Sequence, residues 1–353
     1  MRAHEESVRP LGETDPPPAS PAAVFERYRQ AIEDELRETL QGRELAFYDM
    51  LRYHLGLDGQ ASGAGKALRP MLCLLVCEAL GGSWRDALPA ATSIELIHNF
   101  SLIHDDIQDG DTERRHRPAL WSLWGLAQGI NAGDAMFCLA TLALSRLHGH
   151  FQDAVVIDAI KTVQEATGEM IEGQYLDVSY EALPEISTEQ YLEMIRRKTG
   201  ALLRVSIEVG AMLADAGMPL RLRCRRLGEA VGRLFQIRDD LLGVWGVSEM
   251  TGKPVGSDIR RRKKSMPIVV AMSQAGPTER NELLALYRRD PMSQTDVERV
   301  LELFDHLGVR AKVEHVAAEA HEMAISLAAG INFGERGRRE LLAIVDFLLS
   351  REY

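Results

Sequence analysis

Two pairs of adjacent aspartates stand inside runs of apolar residues. Asp105 and Asp106 lie in IHNFSLIHDDIQD (Ile97 to Asp109), and Asp239 and Asp240 in FQIRDDLLGVWG (Phe235 to Gly246). With Asp109 the first group reads D-D-x-x-D, so Asp105 and Asp109 sit one helical turn apart on one face. His98, seven residues before Asp105, shares that face. Unpaired carboxylates so placed repel each other, and a hard divalent cation removes the penalty; oxygen ligands suit Mg²⁺. A lone D-D-x-x-D is more simply read as a solvated helix end. Here Leu96, Ile97, Phe100, Ile103 and Ile107 mark a helix buried on much of its surface, where acids need partners.

Cations recur near these acids. From Asp105 to Arg117 there are five acids and three arginines, Arg114, Arg115 and Arg117. Carboxylates do not bind phosphate themselves, but carboxylates holding Mg²⁺ beside arginines do, because the metal bridges phosphate oxygens and the guanidinium forks onto them. Further cations lie in GAGKALRP (Lys66, Arg69), RRKTGALL (Lys198, Thr199) and TGKPVGSDIRRRKKSMP (Lys253, Asp258, Lys263, Lys264). The Gly-containing stretch at 63–70 is not a Walker loop, since no Gly-Lys-Ser/Thr ends it and no strand precedes it. Arg261 and Arg262 read as an exposed basic loop. Two acid-bearing helices facing across a cavity would hold several Mg²⁺ ions on one polyphosphate. No Ser/His/Asp or Cys/His nucleophilic arrangement is evident.

The elements that must position these groups are helical. Val24, Tyr28, Ile32, Leu36 and Leu40 recur at helical spacing, as do Val309, Val313, Val316, Ala320, Met323 and Leu327. Strand signals are almost absent, and the reading is an all-α, single-domain bundle of about a dozen helices around an apolar cavity. The helices at 131–147 and 197–213 lack a wide polar face and are expected at its centre. Residues 1–21, with Pro10, Pro16, Pro17, Pro18 and Pro21, read as a flexible tail, and 22–353 as the folded domain. The 46% hydrophobic content supplies a core, and the net charge of -11 argues against a nucleic-acid partner. No apolar run is long enough to span a membrane, and the acidic N-terminal segment does not resemble a transit peptide, so a cytoplasmic protein is expected. Cys73, Cys77, Cys138 and Cys224 form no C-x-x-C pair and read as buried reduced thiols.

Taken in order, the motifs resemble the trans-isoprenyl diphosphate synthases, the polyprenyl synthetase family. The series is G-K-x-x-R-P at Gly65–Pro70, Ile97–Asp109, R-R at Arg114–Arg115, G-D at Gly133–Asp134, G-Q-x-x-D at Gly173–Asp177, K-T at Lys198–Thr199, F-Q-I-R-D-D at Phe235–Asp240 and G-K-P-V-G-S-D at Gly252–Asp258. The resemblance implies the isoprenoid synthase bundle, a homodimer, and about three Mg²⁺ ions per site on an allylic diphosphate. It implies Asp105, Asp109 and Asp239 as metal ligands, supported by Asp106 and Asp240, with Gln174 and Asp177 lining the metal's water shell. Arg114, Lys198 and Lys263 would ground the allylic diphosphate, with Lys253, Thr199 and Gln236 beside it. Lys66, Arg69, His98 and Arg115 would hold isopentenyl diphosphate. The implied reaction is ionisation of the allylic diphosphate, attack by the alkene of isopentenyl diphosphate, and proton loss.

The chain departs from the family pattern in three places. Gly243 stands where the second motif usually ends in aspartate, Ala67 follows Lys66 where an arginine is usual, and His116 replaces a glycine. Phe100 and Ser101, five and four residues before Asp105, fall where the family sets product length. Their types resemble synthases making geranylgeranyl diphosphate, with farnesyl diphosphate next; ordinary helix packing is the competing reading for Phe100. Gly243 also leaves open a non-catalytic subunit of a two-chain synthase. A class I terpene cyclase on the same fold would not need Lys66, Arg69 and His98.

Overall fold

The computed structural model describes residues 20–59, 67–246 and 255–351; the Pro-rich stretch 1–19, Lys66 and Lys253 lie outside the described residues. Helix α1 (Pro21–Thr39) opens on Pro21, whose fixed φ suits a first helical position, so helix begins one residue ahead of the expected tail boundary. Its Val24, Tyr28, Ile32 and Leu36 stripe is buried as the spacing predicts. Then come α2 (Phe47–His54), α3 (Leu68–Ala79) and α4 (Leu88–Asp109). A two-stranded hairpin, β1 (Glu113–Arg114) and β2 (Arg117–Pro118), precedes α5 (Leu120–Trp124), α6 (Leu126–Ser145), α7 (Asp153–Glu181) and α8 (Thr188–Ile195). A π-helical turn, Arg196–Gly200, runs straight into α9 (Ala201–Leu213). The chain continues through α10 (Met218–Trp245), α11 (Ser257–Arg260), α12 (Met266–Gln274), α13 (Pro277–Tyr287), α14 (Gln294–His306), α15 (Val309–Ala329) and α16 (Gly334–Ser350). The fold is all-α, with more segments than expected because several are one or two turns long.

Every residue of α9 is buried, and α9 packs among α3, α7 and α10; its central position agrees with the lack of a polar face. The other expected central helix is not central. Helix α6 buries Ala132, Met136, Leu139 and Ala143 but exposes Leu126, Ile130, Cys138 and Leu142. A sequence apolar all round does not say what covers each side. Cys138 is thus exposed, against expectation, while Cys73, Cys77 and Cys224 are buried free thiols. In α15 the inner stripe is Val309, Val313, Ala317, Ala320, Ala324 and Ala328, and Met323 faces outward. Small alanines let α15 approach α10, which side-chain hydrophobicity alone did not anticipate.

The hairpin pairs Glu113 with Pro118 and Arg114 with Arg117. Its two turn residues, Arg115 and His116, have φ of 53° and 60°, the left-handed pair of a tight hairpin turn without the usual glycine.

Candidate active site

Helix α4 ends immediately after Asp109. Gly110 adopts φ 68°, and the Asp111 N–H donates to the Asp106 carbonyl at 2.8 Å, closing the helix with a left-handed cap. Asp105, Asp106 and Asp109 therefore share the last turns, at the negative end of the helix dipole, where cations are favoured. Two lysines meet them. Lys198 Nζ lies 3.2 Å from Asp105 Oδ1 and 2.5 Å from Asp177 Oδ2. Lys263 Nζ lies 3.7 Å from Asp109 Oδ2.

Lys198 is delivered by the π-helical turn. A side chain at Gly173 on α7 would run into the Lys198 backbone, so the glycine is what lets the turn lie against the Gln174 and Asp177 face. Gln174 donates to Gln108 at 2.7 Å, beside the first acidic cluster. Next along the turn, Thr199 donates to Gln236 Oε1 at 2.5 Å, and Gln236 donates to Asp240 at 2.8 Å. One turn of chain thus ties α4 and α7 to α10, Lys198 through Asp105 and Asp177 and Thr199 through Gln236.

The second acid of each pair is turned into the protein. Asp106 is 1% exposed and accepts from Arg114 Nε at 2.8 and 2.9 Å, with Nη2 at 2.6 Å. Asp240 is also buried and accepts from the Tyr191 hydroxyl and the Met266 N–H, each at 2.6 Å. Neither stands open as a metal ligand, and Arg114, expected on a diphosphate, spends two nitrogens on Asp106. Asp239 stays open, with a 58% exposed side chain and Arg351 Nη2 3.3 Å from Oδ1. Among the described residues no three His, Cys, Asp or Glu groups converge on one point.

Burial, the largest influence on Asp105, acts to raise its carboxyl, but Lys198, Lys263 and Arg114 together hold it below the usual range. Burial and then Asp105 push Asp109 up. Burial pushes Lys198 down, and Asp105 and Asp177 more than reverse it.

Below the acids lies a cavity of about 560 Å³, walled by Phe100, Ser101, Phe137, Met170, Ile171 and Leu202 and rimmed by Asp105, Gln174, Lys198 and Thr199. Phe100 is buried and packs on Phe137, ring centroids 5.3 Å apart, and edge-on to His104 at 5.8 Å. Ser101 donates back to the His98 carbonyl at 2.7 Å. A second cavity of about 180 Å³ opens between Arg69, Glu95, His98, Arg115, Phe235 and Arg351. Arg69 and His98 border both cavities. Arg69 Nη1 lies 3.2 Å from His98 Nε2; burial and then Arg69 push His98 well below its ordinary range, so the imidazole is neutral and accepts there. Burial pushes Arg69 down to about 10. Arg69 Nε and Arg351 Nε are buried without a partner, as is Glu95 Oε2. Orphaned guanidinium donors around a small hole fit an anion.

Sequence reasoning missed Arg351, Glu95, Phe137 and Tyr191. Arg351 and Phe137 carry no local signal, since only the fold brings α6 and the chain end to the site. Glu95 lies one turn before His98 and was readable as an acid in an apolar helix.

The polyprenyl synthetase pattern matches residues 55–304. The chain is 36% identical over 332 residues to a (2E,6E)-farnesyl diphosphate synthase of Mycobacterium tuberculosis, covering 92% of this chain and 91% of that one. It is 35% identical over 310 residues to a geranylgeranyl diphosphate synthase of the same organism, covering 86% and 87%. The crystal structure of geranylgeranyl pyrophosphate synthetase from Pyrococcus horikoshii superposes with a TM-score of 0.85 at 30% identity, over 94% of this chain and 99% of that one. These likenesses establish that the chain belongs to the polyprenyl synthetase family of short-chain trans-prenyltransferases.

Proposed function

We propose that the chain makes geranylgeranyl diphosphate by condensing isopentenyl diphosphate with an allylic diphosphate in the presence of Mg²⁺. The observation that carries the reading is the stacking of two polar sites over one apolar well, with Arg69 and His98 common to both. Asp105, Asp109 and Asp239 would hold the metal, with Gln174 and Asp177 on its water shell. Bound there, Mg²⁺ would neutralise the charge gathering on the departing diphosphate. Lys198 and Lys263 bind the same diphosphate from fixed positions, and their acid partners keep both fully charged. Thr199 and Gln236 hold the π turn in register. Asp106 and Asp240 act at one remove, Asp106 by steadying Arg114 and Asp240 by fixing Gln236 and Tyr191.

In the smaller cavity Arg69, Arg115 and His98 would hold isopentenyl diphosphate; Lys66 and Lys253, which the resemblance adds to the diphosphate-binding set, lie outside the described residues. The apolar wall of the larger cavity excludes water while the allylic carbon is electron-poor, so the alkene is the nucleophile at hand. The two histidines lining the larger cavity are already engaged, His98 with Arg69 and His104 with the Ile130 carbonyl; the released diphosphate accepts the proton.

Farnesyl diphosphate is the second reading, favoured by the mycobacterial relative of that name. The aromatic pair Phe100–Phe137 at the cavity wall is where the two products part. A homodimer belongs to the same proposal, supported by the apolar residues that α6 and α7 leave exposed: Leu126, Ile130, Leu142 and Ile157. Among the described residues no helix is long and apolar enough to cross a membrane; cytoplasmic location is proposed on the composition. The purified single chain, given isopentenyl diphosphate and each allylic starter with Mg²⁺, is expected to yield geranylgeranyl diphosphate by mass spectrometry. Chelation should abolish the product. No turnover by the single chain would leave it as one subunit of a two-chain enzyme.

A further inference from the structure

The π turn Arg196–Gly200 lies inside one continuous helical run between α8 and α9, and it slips the register of that run by one residue. Gly173 on α7 makes room for it, but room alone does not hold a slipped register. Glu169, Gly173 and Asp177 follow at four-residue steps along one side of α7. Asp177 meets the Lys198 ammonium, and Gly173 lies against the Lys198 backbone. Glu169 reaches the run on both flanks of the turn. Its Oε2 lies 3.5 Å from Arg196 Nη1 and 3.0 Å from Arg204 Nη1.

Those two arginines are eight residues apart. In an unbroken α-helix they would point about 80° apart around the axis. A one-residue slip gives them the relation of residues seven apart, about 20°. One carboxylate oxygen near both is therefore a contact that the π register favours and the α register spreads apart. It is not a loose surface pair. Arg204 is 5% exposed, its Nε has no partner, and Glu229 Oε1 lies farther from the same Nη1, at 3.9 Å. A buried cation that loses its carboxylate is costly, which ties Arg204 to Glu169. Arg196 is fixed on its other side by a two-pronged bond to Glu193, 2.8 Å at each prong.

We propose that Glu169 is the register lock of the π turn: by holding Arg196 and Arg204 together it keeps the slipped register and so sets Lys198 against Asp105 and Asp177. Glu169 lines neither cavity and is a positioning residue that acts through Lys198. This rests on the reading of Lys198 above as a diphosphate ligand. The simpler alternative is that Glu169 does no more than neutralise the buried Arg204.

The experiment is steady-state turnover of the full chain with isopentenyl diphosphate, an allylic diphosphate and Mg²⁺, beside thermal unfolding. Glu169→Ala should lower kcat about 10- to 100-fold, with KM for isopentenyl diphosphate within about threefold of the parent. Its Tm should fall as well, because Arg204 is left unpaired. The pair Glu169→Met with Arg204→Met separates the two readings. Apolar chains replace both charges, so Tm should return towards the parent while kcat stays about tenfold or more down. In a Lys198→Ala background, Glu169→Ala should cost no more than about twofold further. If Glu169→Ala does not fold, Arg196→Met, at a half-exposed position, releases one arm of the contact and should still lower kcat about threefold or more. Parent-like kcat in the folded Glu169→Ala variant or in the Met pair, with Lys198→Ala impaired, overturns the proposal. So does a loss in the Lys198→Ala background as large as in the parent, since Glu169 then acts by another route. Parent-like turnover in Lys198→Ala removes the reading of Lys198 instead, and the proposal with it.

Discussion

Carboxylates in the last turn of a helix face the wrong end of its dipole, at a cost of about 0.3–1 kcal/mol each when exposed, and Asp105 and Asp109 are in that position on α4. Lys198 and Lys263 offset the cost, and on the proposed function they would also bind the diphosphate. Lys198→Ala leaves Asp105 and Asp177 facing each other and removes a fixed cation from the leaving group. We expect kcat to fall about 100-fold or more, measured by steady-state turnover; a change of only a few-fold would end the assignment. His98 supports a second test. Its folded-state pKa is depressed, chiefly by burial, so below about pH 6.5 the unfolded chain binds a proton that the folded chain refuses. Stability is therefore full above that pH and is lost as pH falls, by up to about 1.4 kcal/mol per pH unit for one group. His54, buried and shifted the same way, adds to the slope. Urea midpoints taken from pH 7 to pH 5 should fall in the parent, and His98→Gln should flatten the trend by about half. An unaltered slope would mean that His98 is already charged in the fold.

At the scale of elements, the hairpin between α4 and α5 holds the arginines, and its turn is strained. His116 sits at φ 60° with an exposed side chain, in a region that costs an L-residue roughly 1 kcal/mol. His116→Gly should raise stability by about 0.5–1 kcal/mol in chemical denaturation; a loss would show that the imidazole makes a stabilising contact. The sequence showed the family glycine missing at this position but not the hairpin, because two-residue strands have no periodicity to read. The acids were legible for the opposite reason: charges inside apolar runs conflict with burial, and the conflict is visible in one dimension. Spacing put Asp105 and Asp109 on one face, and α4 bears this out. Spacing could not say that Asp106 and Asp240 turn inward, since that depends on Arg114 and Tyr191 arriving from other elements. The π turn was hidden for the same reason. R-R-K-T-G reads as ordinary helix, and only its approach to Gly173 shows why the register slips there. Gly173→Ala should displace Lys198; we expect a drop in kcat with little change in helix content by circular dichroism, and parent-like turnover would mean that the turn tolerates the methyl group.

Among the described residues, helices α4, α6, α7 and α9 line an apolar well under a polar mouth, and on the proposed function its depth would set how many isoprene units fit before the chain meets a wall. Phe100 comes from α4 and Phe137 from α6, and the two rings meet at 5.3 Å. Each addition would lengthen the hydrocarbon by one unit, so on the proposed function elongation would stop when the tail reaches this pair. An ideal helix places Ser101 nearer than Phe100 to the Asp105 face. The phenyl ring still borders the cavity, because its length carries it there. Phe100→Ala removes the nearer part of the floor but leaves Phe137 and His104 behind it. Mass spectrometry of the products should show a shift of about one unit beyond the parent's main product, and the double variant with Phe137→Ala a further shift. Removing one large buried ring also costs about 3–5 kcal/mol where the space cannot collapse, so the comparison belongs well below the variant's melting temperature. If the distribution is unaltered while the variant remains folded, Phe100 is ordinary packing, and the wall that ends elongation lies deeper, towards the exposed apolar side of α6.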